Sequence, residues 1–349
     1  MTEATKSLVQ KGKSRLMLVI VLGTLALFLI LMISLAFGPV KMPLSDVWVA
    51  LQNIIANGPE TGTERIIYYL RLPRVIGAFF IGMGLAMAGA VFQAIIRNPL
   101  VDPYITGVSS GAGFGATVAI TSTVAVSSVS GMYLIPVGAF VGGLLAFGLT
   151  FVIAESSGGR AINYVLGGVI VGMGFGSVTT IFMILSDDRV HDILYFLFGS
   201  FVGINWDNLW IIVVPILLMS IIILLYAREL NVVLLGEEQA RQLGINVRRF
   251  NFTMLVLASL LTAFCVSFVG IIGFVGLIVP HTARMIVGGD HRVLLPASMI
   301  IGAIIMSLAD LIAKLAYVPI ELPVGAIMTM IGVPFFAYLL IRRGKEYAA

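Results

Sequence analysis

Apolar residues in this chain run on for about twenty positions at a time, broken by short clusters rich in arginine, proline and glycine. A helix needs about 20 apolar residues to cross the hydrocarbon of a bilayer, and fewer where neighbouring helices bury it. That ruler predicts ten spans: 16–37, 73–96, 104–120, 132–154, 163–185, 209–226, 252–269, 273–286, 293–315 and 323–341. The first run follows Lys6, Lys11, Lys13 and Arg15, is longer than a signal-peptide core and lacks a small-residue cleavage site, so it reads as a retained span.

An even count puts both ends on one side of the membrane, and the basic residues choose the side. Of the 21 lysines and arginines, all but Lys41, Arg65, Arg71, Arg74, Arg189 and Lys314 fall on the side of the termini. The expectation is a multi-pass protein of the cytoplasmic membrane with both termini cytoplasmic. Composition agrees. With 59% hydrophobic and 11% charged residues, against about 45–50% and 25% for a soluble domain, the chain cannot build a water-facing surface. The fold class expected is all-α, in a single membrane domain over 1–349.

Glycines recur at helical spacing: Gly107, Gly111 and Gly115; Gly138 and Gly142; Gly168, Gly172 and Gly176. Such rows let helix backbones approach closely. The third row is read either as tight packing or as a track along which one helix tilts beside a pathway.

Candidate chemistry is sparse. His191, His281 and His291 are the only histidines, and none has a second at helical spacing, so no metal site is expected. Cys265 is the only cysteine, inside an apolar run. Gly12-Lys13-Ser14 lacks the first glycine of a phosphate-binding loop, because position 7 is serine. No enzyme activity, bound cofactor or nucleic-acid partner is expected of this chain. Asp310, Lys314 and Glu321 cluster at the outer ends of the last two spans rather than mid-membrane. That speaks against an ion-coupled secondary transporter, the alternative class, although broken helices can bind sodium without charges.

The largest segment on the termini side, 228–250, contains the short polar stretch 237–243, stopped by Gly244. By pattern alone it is a solvated loop or a knob for a soluble partner. Gly236-Glu237-Glu238-Gln239-Ala240-Arg241-Gln242-Leu243-Gly244 resembles the coupling-helix motif of the permeases of iron-siderophore, haem and cobalamin ABC importers. The likeness continues in Arg71-Leu72-Pro73-Arg74, in Arg97-Asn98-Pro99-Leu100-Val101-Asp102-Pro103 and in Gly107-Val108-Ser109-Ser110-Gly111. It extends through Gly273-Phe274-Val275-Gly276 to Pro280-His281, then Asp290-His291-Arg292 and Glu321-Leu322-Pro323-Val324-Gly325.

That resemblance implies the type II ABC importer permease fold, a homodimer or a pair with a close paralogue, and two ATPase subunits that hold ATP and magnesium. It further implies a periplasmic or lipid-anchored binding protein and a metal-chelate cargo, a ferric siderophore first, with haem or cobalamin behind it. Gly236, Glu237, Glu238, Ala240, Arg241, Leu243 and Gly244 would couple to the ATPase. The fifth and tenth spans would line the path, with Met173, Phe175, Ser177, Thr179, Thr180, Met328 and Thr329 as lining candidates and the loop 155–162 near the inner gate. Arg71, Arg74 and Lys314 would dock the binding protein; the alternative is that they anchor to lipid headgroups.

Overall fold

The computed structural model describes residues 3–122 and 131–348. Among these every regular element is helical. Seven helical stretches are long and apolar enough to cross a bilayer, and three shorter apolar helices, Val108–Thr121, Val275–Val287 and Val324–Tyr338, complete the ten expected spans.

Helix α1 (Glu3–Ala36) is followed by α2 (Leu44–Asn57) and the single turn α3 (Gly62–Arg65), which leads through a π-helical segment (Ile66–Arg71) into α4 (Leu72–Ile96). Thr61 and Glu64 form a reciprocal capping box at α3, and Asn53 of α2 donates to Glu64 at 3.1 Å. Buried Leu35, Ala36, Val47, Ala50 and Ile67 join these elements around a small apolar cluster of their own. The pattern of twenty-residue runs misses α2 because its apolar residues cover one face only.

A 3-10 turn (Pro103–Thr106) precedes α5 (Val108–Thr121); α6 (Gly131–Ser156), α7 (Ala161–Leu185) and α8 (Val190–Phe198) follow. Then come α9 (Trp206–Leu225), α10 (Ala227–Leu234), α11 (Glu237–Gln242), α12 (Val247–Val269), α13 (Val275–Val287), α14 (His291–Leu315) and α15 (Val324–Ala348).

Helix α4 is the hub, packed against α9, α12, α13 and α14. Its glycines explain how: a methyl on Gly82 would meet the Gly302 backbone of α14, and one on Gly89 the Gly276 backbone of α13. Gln93 donates its side-chain amide to the carbonyls of Gly276 (3.3 Å) and Leu277 (3.1 Å), tying α4 to the first turn of α13. The rows on α5 and α6 lock together, with Gly111 against Gly142 and Gly115 against Gly138. In the third row, Gly168 lies against the backbone of Ile105 and Thr106, and Gly172 is near Ser110, whereas nothing lies within 4 Å of a side chain placed at Gly176.

Helix α7 is apolar all round, yet only 17% of its spanning window is buried by this chain, against 78% for the window containing α4. Leu166, Val169, Ile170, Met173, Ile181 and Ile184 are left uncovered.

Candidate functional site

Three places bear on function: the α11 knob, the ion network at the opposite end of the bundle, and the uncovered faces of α7 and α15.

Helix α11 is six residues long. Gly236 precedes it at φ +132 and Gly244 closes it at φ +84, conformations open to glycine and strained for other residues. The Gly244 N–H returns to the Arg241 carbonyl at 2.9 Å and the Ile245 N–H to that of Ala240 at 3.0 Å, ending the helix with glycine beyond its last turn. Ala240 is completely buried and pins the knob to the bundle. Glu237, Glu238, Arg241 and Leu243 point to solvent. The Glu237–Arg241 pair, 3.6 Å apart with both side chains more than half exposed, is worth only about 0.3–0.5 kcal/mol. Their charges are free for a partner.

At the opposite end, the three basic residues expected on a docking surface lie inside the protein. Arg74 is 8% exposed. It donates from Nε (3.0 and 3.1 Å) and Nη2 (2.8 Å) to the Asp310 carboxylate, and from Nη1 to Glu321 at 2.7 Å. Lys314 donates to the Ser34 carbonyl (2.8 Å) and hydroxyl (3.1 Å). Arg71 donates to the carbonyls of Leu35 and Val40. Within this chain their charges are engaged by internal partners, binding α1, α4 and α14 together. Asp310 and Glu321 were visible in the sequence near this end. Their pairing with Arg74, 236 and 247 positions away, was not.

The path candidates separate by face. Met173, Ser177 and Thr180 on α7 and Thr329 on α15 are exposed, while Thr179 and Met328 are buried and Phe175 packs on Phe114, ring centroids 5.2 Å apart. In this conformation Thr179 and Met328 face the chain's own core. The Ser177 and Thr180 hydroxyls, on the open face, donate to backbone carbonyls one turn earlier, of Met173 (2.9 Å) and Gly176 (3.0 Å). The donor hydrogens on this face are thereby engaged within the helix itself.

Beside the knob lies a cavity of about 1160 Å³ lined by Arg97, Arg160, Arg241, Arg248 and Arg249, by Glu155 and Glu237, and on its apolar side by Ile95, Phe151, Phe252 and Leu255. Glu155, Tyr164 and Arg248 meet on its wall. The sequence reading reached Glu155 only as the start of a loop. The signal available was an acid followed by Gly158-Gly159, a turn that brings the next helix back beside it. Among the described residues no group of histidine, cysteine or acids is placed to hold a metal.

Residues 25–342 match the model of the FecCD transport family. The chain is 42% identical over 292 residues to the cobalamin import system permease protein BtuC of Halobacterium salinarum, covering 83% of this chain and 76% of that one. It is 35% identical to the Fe(3+) dicitrate transport system permease protein FecD of Escherichia coli, covering 91% and 96%. A solved inward-facing conformation of a metal-chelate type ABC transporter superposes with a TM-score of 0.79 at 32% identity, over 92% of this chain and 97% of that one. Ten apolar helices, an exposed capped knob at one end and a sequence match over nearly the whole length converge: this chain is a multi-pass membrane permease of the FecCD transport family.

Proposed function

We propose that this permease carries a metal chelate across the cytoplasmic membrane as half of a homodimer, driven by two ATPase subunits that grip the α11 knob and fed by a binding protein at the opposite end. The observation that supports it is the knob: a six-residue helix pinned by buried Ala240, with unspent charges at Glu237 and Arg241 and exposed Leu243 at its tip. Among the described residues the ion pair of these two charges is with each other, across the exposed surface of the knob. The uncovered apolar face of α7 fits a second copy across a path.

A bulky chelate needs a wide route with few strong contacts, and the exposed face of Met173, Ser177 and Thr180, its hydroxyls already turned to backbone, supplies one. Discrimination then rests with the binding protein, and ATP supplies the free energy that shifts the conformations. Ferric siderophore is the first cargo proposed, in line with the ferric dicitrate relative. Haem, and cobalamin in line with the relative of higher identity, are the competing arms of the assay.

Docking through the Arg71, Arg74 and Lys314 region takes a specific form here. An incoming carboxylate reaches Arg74 by replacing Glu321, whose side chain is 24% exposed, while Asp310, 1% exposed, keeps its grip. Receptor docking is then an exchange of carboxylates.

Reversing both knob charges, Glu237→Lys with Arg241→Glu, in the complex with the cognate ATPase tests the coupling. The expected result is normal membrane insertion, loss of uptake, and hydrolysis that no longer responds to the binding protein. Unchanged uptake and unchanged stimulation would remove α11 from the coupling surface.

A further inference from the structure

Glu155 and Tyr164, from either side of one turn, meet Arg248, 93 positions from Glu155, on the wall of the arginine-lined cavity. Glu155, in the last turn of α6, accepts from the Tyr164 hydroxyl at 2.6 Å through one carboxylate oxygen and from Arg248 Nη2 at 2.7 Å through the other. Tyr164 is buried in the first turns of α7, the helix whose open face lines the proposed path. Arg248 is the second residue of α12, four residues beyond the end of the knob's closing turn at Gly244.

The local backbone is built to hold this arrangement. Gly158 and Gly159 both take positive φ, +104 and +66, so that α6 can turn into α7 within four residues. A side chain on Gly159 would come to 3.0 Å from Glu155 Oε1, so the turn passes directly beneath the carboxylate. Asn163 fixes the turn from the α7 side, donating to the Ser157 carbonyl at 2.7 Å. Behind the carboxylate, Phe151 packs between Tyr164 (centroids 6.1 Å apart) and Phe252 (4.8 Å), an aromatic layer joining α6, α7 and α12.

On the knob side the connection is equally short. Ile245 N–H bonds the Ala240 carbonyl, Asn246 caps α12 by accepting from Arg249 N at 3.1 Å, and Arg248 projects from that capped turn to Glu155. A pull on α11 therefore reaches Arg248 through the five residues 243–247.

The two bonds to Glu155 differ in strength. Tyr164 holds it from a buried position through a short, charge-assisted bond of the stronger class. Arg248 holds it with a side chain 87% exposed, and an exposed ion pair opens easily. We propose that Glu155 is a positioning residue of the transport cycle: it stays with Tyr164 as part of the α6–α7 gate turn, while Arg248 engages and releases it as the ATPase moves the knob. The contact makes knob position and path-helix position one linked variable. This rests on the reading of α11 as the ATPase-coupling helix.

The test uses the full complex of permeases, ATPases and binding protein in proteoliposomes, with ATP hydrolysed per cargo imported as the readout. A structural role alone would lower yield and leave that ratio unmoved. Glu155→Gln and Arg248→Gln should each raise the ratio about fivefold or more. The exchange Glu155→Arg with Arg248→Glu, which restores the pair in reverse, should recover most of the coupling. Tyr164→Phe keeps the ring beside Phe151 and removes only the hydroxyl; it should shift the ratio in the same direction, and it serves as the readout if Glu155→Gln does not assemble. The Glu237→Lys, Arg241→Glu variant runs alongside. If it uncouples while Glu155→Gln, Arg248→Gln and Tyr164→Phe keep the wild-type ratio, the latch is overturned and the coupling helix stands. If the knob variant itself keeps the wild-type ratio, the coupling reading falls and the latch with it.

Discussion

Replacing Asp310 by alanine removes the deepest member of the ion network around Arg74. Three of the four hydrogen bonds that Arg74 makes go to Asp310, and the two side chains are 10% and 1% exposed. Breaking a buried ion pair by deleting one partner costs about 3–5 kcal/mol, chiefly because the other charge is left unpaired. Here Glu321 continues to neutralise Arg74 from a partly exposed position at 2.7 Å, so the expected loss is near the lower end, about 3 kcal/mol. Glu321→Gln leaves a neutral acceptor at the wetter site and should cost no more than about 1 kcal/mol. Removing both partners, Arg74→Met with Asp310→Leu, fills the space with apolar side chains of similar size and should recover about 2 kcal/mol of the loss, a coupling that a double-mutant cycle isolates. The measurement is equilibrium unfolding of the purified chain in mixed micelles. If Asp310→Ala destabilised no more than Glu321→Gln, or if the double variant were as unstable as the sum of the singles, the network would not be holding α4 to α14.

Three further outcomes are expected. Gly115→Ala, which drives a methyl into the Gly138 backbone, should destabilise by about 1–3 kcal/mol, whereas Gly176→Ala, with nothing within 4 Å, should be neutral or stabilising by up to about 1 kcal/mol; thermal melts in detergent separate them. Single cysteines in a Cys265→Ser background should react with a polar thiol reagent at Met173, Ser177 and Thr180 and stay protected at Thr179 and Met328, and equal labelling at all five would contradict the assigned faces. Asp290, bonded by Arg292 and by Asn231 at 2.7 Å, is held down to about 2. Because a folded-state value below the ordinary one of about 4 means stability present above it and lost as pH falls towards 2, wild type should lose melting temperature between pH 4 and 2 faster than Asp290→Asn; parallel curves would sink the assignment.

Much of the fold was written in the sequence as run length. Twenty apolar residues between arginine clusters admit little but a spanning helix, so seven spans were legible from run length, and the three shorter apolar helices from their place between the clusters. The α8 helix was not, because nine residues from Val190 to Phe198 are too few for the ruler. The knob was legible because glycine at 236 and 244 brackets a polar hexamer, and that spacing is local. The network around Arg74 was half legible: arginines set against the charge bias marked this end of the bundle, but their partners, Asp310 and Glu321 for Arg74 and the carbonyls of Leu35 and Val40 for Arg71, come within reach only when α1, α4 and α14 pack. Path residues were hardest. A helix apolar on every side carries no periodic signal, so Thr179 and Thr180 read alike in sequence, while packing buries the first and exposes the second.

On the function proposed, transport by this permease depends on a separate ATPase gripping the α11 knob. The direct measurement is uptake of labelled ferric siderophore, haem or cobalamin into proteoliposomes holding the permease, with the ATPase, the binding protein and ATP supplied or withheld one at a time. One of these chelates should accumulate only when all three are present, and reversing Glu237 and Arg241 should abolish that accumulation. Accumulation by the permease alone under a proton or sodium gradient, indifferent to ATP, would contradict the function proposed.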